Sequence, residues 1–381
     1  MRARSTRAGS RPGVRAALSL VLLLGLVCVL EGGARFAGGP PDFFAADPGR
    51  VLLPAHRYLL WVNAPGEREE QGVPVRINRL GLRGPEPEIP KPPGTRRLLV
   101  TGDSVVYGFG VPEEALFTHV AAAHLGVEGW TAAVPGYSTA QSLNLLDMTA
   151  LSLEPDVVVI ANLWSDLSVM GFADRDVLDA YAAGGPGARW GAASAWLGAR
   201  SALFRQIRHA TRGSDAAADE RVLQWRARPT EGASGRRVPI AEYATNLAHM
   251  VRRCRDAGAE VAFLNLPIRA TVQGHAPGGT EAAYAAVMAD TAQRLGSPLV
   301  DGAAALRAAQ ATEAALWQDA THLSARGHAV VGARLAADLA AWAGGAALER
   351  APSGTPPRVI LDPDPTPSAE ARMKVPDDMI P

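Results

Sequence analysis

The chain is poor in several residue types on which particular protein classes depend. It has only two cysteines among 381 residues, too few for a disulfide framework or a four-thiolate zinc site. Lys plus Arg and Asp plus Glu number 38 each, so there is no net charge to hold the protein on nucleic acid. With 39 glycines and 29 prolines, the chain also stays below the roughly 25–30% that marks disorder. After these exclusions, the composition indicates a globular protein with a sizeable hydrophobic core.

The N-terminus has the pattern of an export signal. Five arginines and no acidic residue precede an uncharged run at 16–30, and Glu31 follows the run. A basic flank before an apolar segment is typical of a secretory signal. The run covers about 22 Å as a helix, against the roughly 30 Å of a membrane core. Residues 32–34 could extend it, or Gly32 and Ala34 could form a weak cleavage site. We predict that residues 1–37 are a signal anchor or signal peptide, with the rest of the chain outside the cytoplasm.

Composition divides the rest of the chain. Residues 38–94 are rich in proline and glycine and contain one strand-like stretch at 73–77, so we predict a lead-in module before the main domain. The main domain is predicted at 95–345, with an insertion at about 167–240. Residues 346–381 carry many prolines and no helical or strand period, which predicts a disordered tail.

Within the main domain, short apolar runs alternate with helical patterns. The runs lie at 98–100, 131–134, 157–160, 261–264 and 299–300. This alternation predicts an α/β fold with a parallel sheet covered on both faces. A helix is predicted at 239–257, with Cys254 on its core face, and Ser324 is predicted to cap the final helix.

Three groups of polar residues follow predicted strands, where open α/β sheets place their sites. Gly102-Asp103-Ser104 comes first, and its serine can present a hydroxyl at the strand-to-helix junction. Asp319 and His322 precede the last helix, and a histidine oriented by a carboxylate is what activates a serine. Gly136 offers a backbone N–H group to an oxyanion, and the segment 162–166 (Asn-Leu-Trp-Ser-Asp) offers further donors.

In this order, these features resemble the SGNH, or GDSL-type, hydrolase superfamily over residues 95–343. The stretch at 79–85 (Arg-Leu-Gly-Leu-Arg-Gly-Pro) also looks like the lead-in of membrane-anchored bacterial members. The resemblance implies a three-layer α/β/α sandwich like flavodoxin, with five parallel strands. It also implies that Ser104 is the nucleophile, His322 the base and Asp319 its orienting partner. Gly136 and the Ser104 N–H group would form part of the oxyanion hole.

The sequence departs from the family pattern at two positions. Val105 stands where the family has leucine, a small apolar change. The expected Gly-x-Asn-Asp block reads Leu163-Trp164-Ser165-Asp166, so serine replaces the oxyanion-hole asparagine. Ser165 could donate through its hydroxyl, and Asn162 could substitute for the missing asparagine. Loss of one such donor typically costs about 2.7–4 kcal/mol of transition-state stabilisation.

Three other interpretations stay open at this point. Ser138 follows a strand and precedes a helix, as in a nucleophile elbow. Asp319, His322 and His328 could form a metal site, although no HExxH motif or cysteine pair accompanies them. The segment 205–237 has eight arginines and four acidic residues, and it could face an anionic polymer or lipid, or be a solvated surface.

We therefore predict an esterase with a Ser-His-Asp triad that acts outside the cytoplasm on a small-molecule or polymer-borne ester, such as an acylated carbohydrate or lipid. No cofactor, metal or nucleic acid is expected, and the N-terminal helix would contact the membrane. Transfer of acyl or acetyl groups to an extracellular polysaccharide is one alternative. An anchored, non-catalytic binding module on the same fold is the other.

Overall fold

The computed structural model describes residues 12–37, 52–56, 58–169, 173–183, 197, 201–204, 206–207, 236–272, 279–309 and 313–343. The predicted tail at 346–381 and most of the predicted insertion lie outside these residues. The strands are β1 (Leu52–His56), β2 (Leu60–Asn63), β3 (Gly66–Glu70), β4 (Val73–Ile77), β5 (Arg97–Gly102), β6 (Glu128–Ala133), β7 (Val157–Ile160), β8 (Glu260–Asn265) and β9 (Leu299–Asp301). The helices are α1 (Pro12–Phe36), α2 (Ser104–Tyr107), α3 (Phe117–Leu125), α4 (Thr139–Met148), α5 (Asp174–Ala183), α6 (Ile240–Asp256), α7 (Arg269–Val272), α8 (Gly279–Arg294), α9 (Gly302–Ala308), α10 (Glu313–Leu316) and α11 (Ala325–Ala343).

The main sheet has five parallel strands in the order β6-β5-β7-β8-β9. Its central strands are apolar on both faces because helices cover both: every residue of β7 is buried. Helices α3, α9 and α11 pack together as one layer, and α4, α6 and α8 as the other. The predicted α/β/α sandwich with a flavodoxin-like strand order is confirmed.

The helical periods in the sequence agree with the helices that form. In α6, Tyr243, Leu247, Met250 and Cys254 are buried, which confirms Cys254 as a core residue. Burial also raises the pKa of the Cys254 thiol. At the start of α11, the hydroxyl of Ser324 accepts the N–H group of Gly327 at 3.2 Å, so the predicted cap is present.

The chain folds into two compact units. The described residues of one lie within Met1–Ala64 and Val177–Arg228, and those of the other lie within Pro65–Asp176 and Pro229–Pro381. The second unit contains the main sheet and also the antiparallel hairpin β3–β4. The predicted domain boundary at 94 stays a prediction, but the chain from Pro65 onward packs with the sheet, because Arg83 bridges Ile77 of β4 to Thr131 of β6.

Helix α1 belongs to the first unit. It has 25 residues, or about 37 Å at 1.5 Å per residue, and its large apolar side chains are exposed. By length and composition it could cross a membrane, and a signal sequence would meet the same criterion. The helix is longer than the apolar run at 16–30 because the flanking residues up to Phe36 continue it.

Candidate active site

The site lies at the carboxyl end of β5, between β6 and β7. The connection after β5 leads to β6 on one side of the sheet, whereas the connection after β7 leads to β8 on the other side, and such a switch in direction opens a crevice between β5 and β7. Gly102 is the last residue of β5. A Cβ atom on this residue would lie 2.2 Å from Val106 Cγ2, so no side chain fits there. Asp103 is the N-cap of α2, and Ser104 is the first residue of the helix. The serine is partly exposed among buried neighbours.

A chain of hydrogen bonds joins Ser104 to the loop before α11. His322 Nε2 lies 2.9 Å from Ser104 Oγ, although the two residues are 218 positions apart. His322 Nδ1 lies 2.7 Å from Asp319 Oδ2. The other carboxylate oxygen of Asp319 accepts the N–H groups of Thr321 and His322 at 2.6 Å each. The structure therefore brings together the three residues that the sequence grouped.

The surroundings of Asp319 keep its carboxylate charged. Burial by itself would raise the pKa of Asp319, but hydrogen bonds from the ring and backbone of His322 and from Thr321 lower it well below the usual value. A carboxylate in this state accepts a proton-bearing Nδ1 and leaves Nε2 to face the serine.

Backbone bonds fix the loop that carries His322. Trp317 and Leu323 form an antiparallel bridge, and the N–H group of Gln318 donates to His322 O at 2.9 Å. The Gln318 side chain donates to Phe109 O at 2.7 Å, and the Phe109 ring meets the His322 ring edge-on at 5.6 Å. The imidazole is thus held from the loop and from the segment after α2.

A buried arginine holds that segment. Arg83 is fully buried and donates to the carbonyl oxygens of Tyr107 and Gly108 at 2.6 Å each, and also to that of Val111. Gly108 has φ +75°, and a Cβ there would lie 2.3 Å from Leu116 Cδ2. Burial lowers the pKa of Arg83. In the sequence, Arg83 is part of the 79–85 stretch that resembles the family lead-in, and no signal there indicates this role.

The Ser165 hydroxyl is bonded to a neighbouring side chain of the protein. Its Oγ donates to Asp103 Oδ2 at 3.0 Å, and its N–H group donates to the same oxygen at 3.2 Å. Asp103 also accepts the N–H group of Val105 at 3.0 Å, and burial raises the pKa of its carboxyl. A hydroxyl has one proton, so Ser165 cannot serve Asp103 and an oxyanion together. This geometry argues against the predicted role of Ser165 as a direct donor.

Asn162 is also occupied. It is fully buried, and its Nδ2 donates to Ser142 Oγ at 2.9 Å, while its backbone carbonyl accepts the Tyr243 hydroxyl at 2.7 Å. A side chain with no exposed surface is poorly placed to bind substrate. Close by, Asp166 accepts the backbone N–H group of Thr139 at 2.8 Å, and burial raises the pKa of Asp166 to about 8.

The loop after β6 carries Gly136 and Ser138. Gly136 has φ +80°, a conformation that favours glycine. Ser138 is buried, forms a capping box with Gln141 at the start of α4, and donates through Oγ to Asp174 at 2.6 Å. His322 contacts Ser104 instead, so the geometry gives the nucleophile-elbow interpretation of Ser138 no support.

The alternative metal site finds no support among the described residues, which contain no group of three or more His, Cys, Asp or Glu side chains able to hold an ion. His328 is fully buried, and its Nδ1 accepts the N–H group of Phe117 at 3.1 Å. Burial lowers the pKa of His328 to about 3, so its ring is neutral. Most of the arginine-rich segment 205–237 lies outside the described residues.

Residues 100–330 match the GDSL-like lipase/acylhydrolase family. Among solved structures, a lipase/acylhydrolase from Enterococcus faecalis is 16% identical with a TM-score of 0.40, covering 64% of this chain and 95% of that one. A carbohydrate esterase family 2 enzyme with a carbohydrate-binding domain, from Corynascus thermopiles (Myceliophthora fergusii), is 16% identical with a TM-score of 0.42. The match covers 69% of this chain and 70% of that one. The acetyl xylan esterase AlAXEase is 13% identical with a TM-score of 0.39, and the match covers 63% of this chain and 97% of that one. No curated protein matches the chain significantly.

Proposed function

Since the chain belongs to the GDSL-like lipase/acylhydrolase family and is a hydrolase of ester bonds, we propose that it cleaves them through an acyl-enzyme on Ser104. His322 is the general base and acid, and Asp319 orients and stabilises its ring. The observation that carries the proposal is the continuous chain of contacts from Asp319 to His322 to Ser104, at 2.7 and 2.9 Å.

The reaction takes two steps. Ser104 Oγ attacks the ester carbonyl while its proton passes to His322 Nε2. The tetrahedral intermediate then collapses, and His322 returns the proton to the departing alkoxide, which leaves as an alcohol. Water next attacks the acyl-enzyme, with His322 again taking and returning a proton, and the carboxylic acid departs. The side chains supply every proton transfer, so no cofactor is required.

Two backbone groups are suited to hold the oxyanion. The N–H group of Ser104 is at the first position of α2, where helical N–H groups have no intrahelical acceptor. The Gly136 N–H group is the second donor. Ser165 and Asn162 support this pair without contacting the oxyanion, because the single hydroxyl proton of Ser165 already bonds Asp103 and the Asn162 side chain, which bonds Ser142, is fully buried.

The substrate is an ester borne by a small molecule, carbohydrate or lipid outside the cytoplasm. Support for the location comes from the exposed apolar helix α1 and the arginines before it. Near the end of α1, Glu31 accepts the Ser201 hydroxyl at 2.8 Å and the Ala202 N–H group at 2.9 Å. These bonds tie α1 to a distant part of the same compact unit, as expected for a helix that stays attached.

The function is tested with short-chain p-nitrophenyl esters and a fluorophosphonate probe. We expect turnover by the wild-type chain, loss of at least about 10³-fold in Ser104→Ala, and a labelled peptide containing Ser104. Ser168→Ala is the matched control, since that hydroxyl donates only to Trp164 O at 3.2 Å among the described contacts. Equal turnover by wild type and Ser104→Ala would indicate a binding module, and a labelled peptide containing Ser138 would move the nucleophile there.

A further inference from the structure

An ion pair lies beneath the loop that carries Gly136. Arg237 donates through Nε and Nη2 to the two carboxylate oxygens of Asp174, at 2.9 and 2.7 Å. Both side chains are buried, with 9% and 1% of their surfaces exposed. Two parallel hydrogen bonds of this kind fix the plane of the guanidinium group as well as its position.

The same guanidinium reaches the loop directly. Arg237 Nη1 donates to the carbonyl oxygen of Gly136 at 2.6 Å, and Nη2 donates to Gln141 Oε1 at 2.7 Å. Gly136 has no side chain that could pack and hold its backbone, and its φ of +80° lies in a region where glycine is conformationally permissive. The bond from Arg237 is therefore a restraint on the orientation of this residue.

Further bonds close a ring around the start of α4. Ser138 Oγ donates to Asp174 Oδ2 at 2.6 Å, and the Ser138 N–H group donates to Gln141 Oε1 at 3.3 Å. The backbone joins the two charged residues as well, since the Asp174 N–H group donates to Arg237 O at 2.6 Å. The loop thus rests on a rigid polar base rather than on apolar packing alone.

We propose that Arg237 is a positioning residue that holds the Gly136 N–H group in place for the oxyanion. The inference rests on the proposed function, in which Gly136 is one of two backbone donors. Such a donor contributes fully only when it is about 2.7–3.1 Å from the oxyanion, and a displacement of about 1 Å can cost roughly 10²-fold in rate. Loss of the restraint should therefore lower kcat about 10- to 100-fold and leave KM nearly unchanged.

Two variants test this role. Arg237→Gln alone would leave the Asp174 carboxylate buried without its partner, which is strongly destabilising. The double variant Asp174→Asn/Arg237→Gln removes both charges, and Arg237→Lys keeps the charge without the two-pronged geometry. Arg175→Gln is the matched control, since Arg175 is next to Asp174 but pairs with Glu242 at 3.1 Å.

Rates are expressed per active site, titrated with a fluorophosphonate, so that unfolded protein does not count. Affinity for a trifluoromethyl ketone, which forms a tetrahedral oxyanion on the serine, is measured in parallel. We expect kcat to fall and the inhibition constant to rise by similar factors in the double variant, less so in Arg237→Lys, and not at all in Arg175→Gln.

The outcomes separate this role from the function itself. If the wild-type chain shows no Ser104-dependent turnover, the proposed function fails and the role of Arg237 fails with it. If the wild type is active but the double variant keeps its kcat per site and its affinity for the ketone, the positioning role alone is overturned. A variant that loses titratable sites without losing kcat per site also overturns it, because Arg237 would then serve stability only.

Discussion

Ser165→Ala distinguishes two roles for the residue that replaces the family's asparagine. The Ser165 hydroxyl donates to Asp103 at 3.0 Å, and Asp103 keeps two other bonds, from the N–H groups of Val105 and Ser165. Removal of the hydroxyl leaves a buried carboxyl with one partner fewer. We expect the free energy of unfolding to fall by about 1–3 kcal/mol, the usual cost for a buried polar group of this kind.

The expected effect on rate is smaller. A hydroxyl that donated to the oxyanion would, on removal, slow the chemical step by about 10²–10³-fold with little loss of stability. Because the contact is with Asp103, substrate loses no donor in Ser165→Ala, and only the position of Ser104 can change. We expect the turnover rate per titrated site to fall by less than about tenfold, which corresponds to about 1.4 kcal/mol.

Urea unfolding gives the stability term, and p-nitrophenyl acetate turnover per titrated site gives the rate. Ser168→Ala again serves as control, since its hydroxyl belongs to the same segment but bonds a backbone carbonyl. If turnover per site fell by about two orders of magnitude or more while stability stayed unchanged, the reasoning would be refuted and the Ser165 hydroxyl would belong in the oxyanion hole.

Two other predictions concern stability and location. Asp166 has a folded-state pKa of about 8, whereas an unfolded aspartate has about 3.9, so the folded state binds the extra proton between these values and wild-type stability falls as pH rises through that window. The variant Asp166→Asn cannot titrate. In urea unfolding, its free energy of unfolding relative to that of wild type should therefore rise by up to about 4 kcal/mol from pH 5 to pH 8. If the free energies of both proteins changed with pH in the same way, the buried, protonated carboxyl would be contradicted. For location, the full chain should remain in the membrane pellet after carbonate extraction and keep α1 by mass spectrometry, whereas a soluble product beginning after Ala34 would show that the signal is cleaved.

The fold was predictable because its signals are local. A strand buried on both faces must be apolar throughout, and the runs at 98–100 and 157–160 are. The place of Ser104 was predictable for a related reason: it follows β5, and parallel strands bring their carboxyl ends to one edge of the sheet. His322 does not follow a strand directly, since α9 and α10 lie between β9 and its loop, so the family resemblance and not the strand pattern indicated its pairing with Ser104.

The partners of polar side chains were not predictable in the same way. Whether the Ser165 hydroxyl points to Asp103 or to a substrate depends on the rotation about one bond. The hydrophobic pattern of the sequence does not predict that rotation. Arg83 looks like an ordinary loop arginine, since its acceptors are backbone carbonyls far along the chain, and the acceptor through which Arg237 reaches Gly136 is also a backbone carbonyl. Every residue has such a carbonyl, so no residue type at the other end of the bond marks the pairing.

These buried arginines help to explain how an oxyanion could be bound at a site that lacks the asparagine donor of the family pattern. In the proposed mechanism the oxyanion depends on two backbone donors, one at Ser104 and one at Gly136. Arg83 bonds the carbonyl oxygens of Tyr107 and Gly108 just after Ser104, and Arg237 bonds that of Gly136 itself. Donors that are already fixed need no reorganisation when charge develops, which is where an oxyanion hole gains most of its effect. A site with fewer donors therefore depends more on holding each one still, so that substitutions beneath the loops should affect rate more than their distance from the substrate suggests.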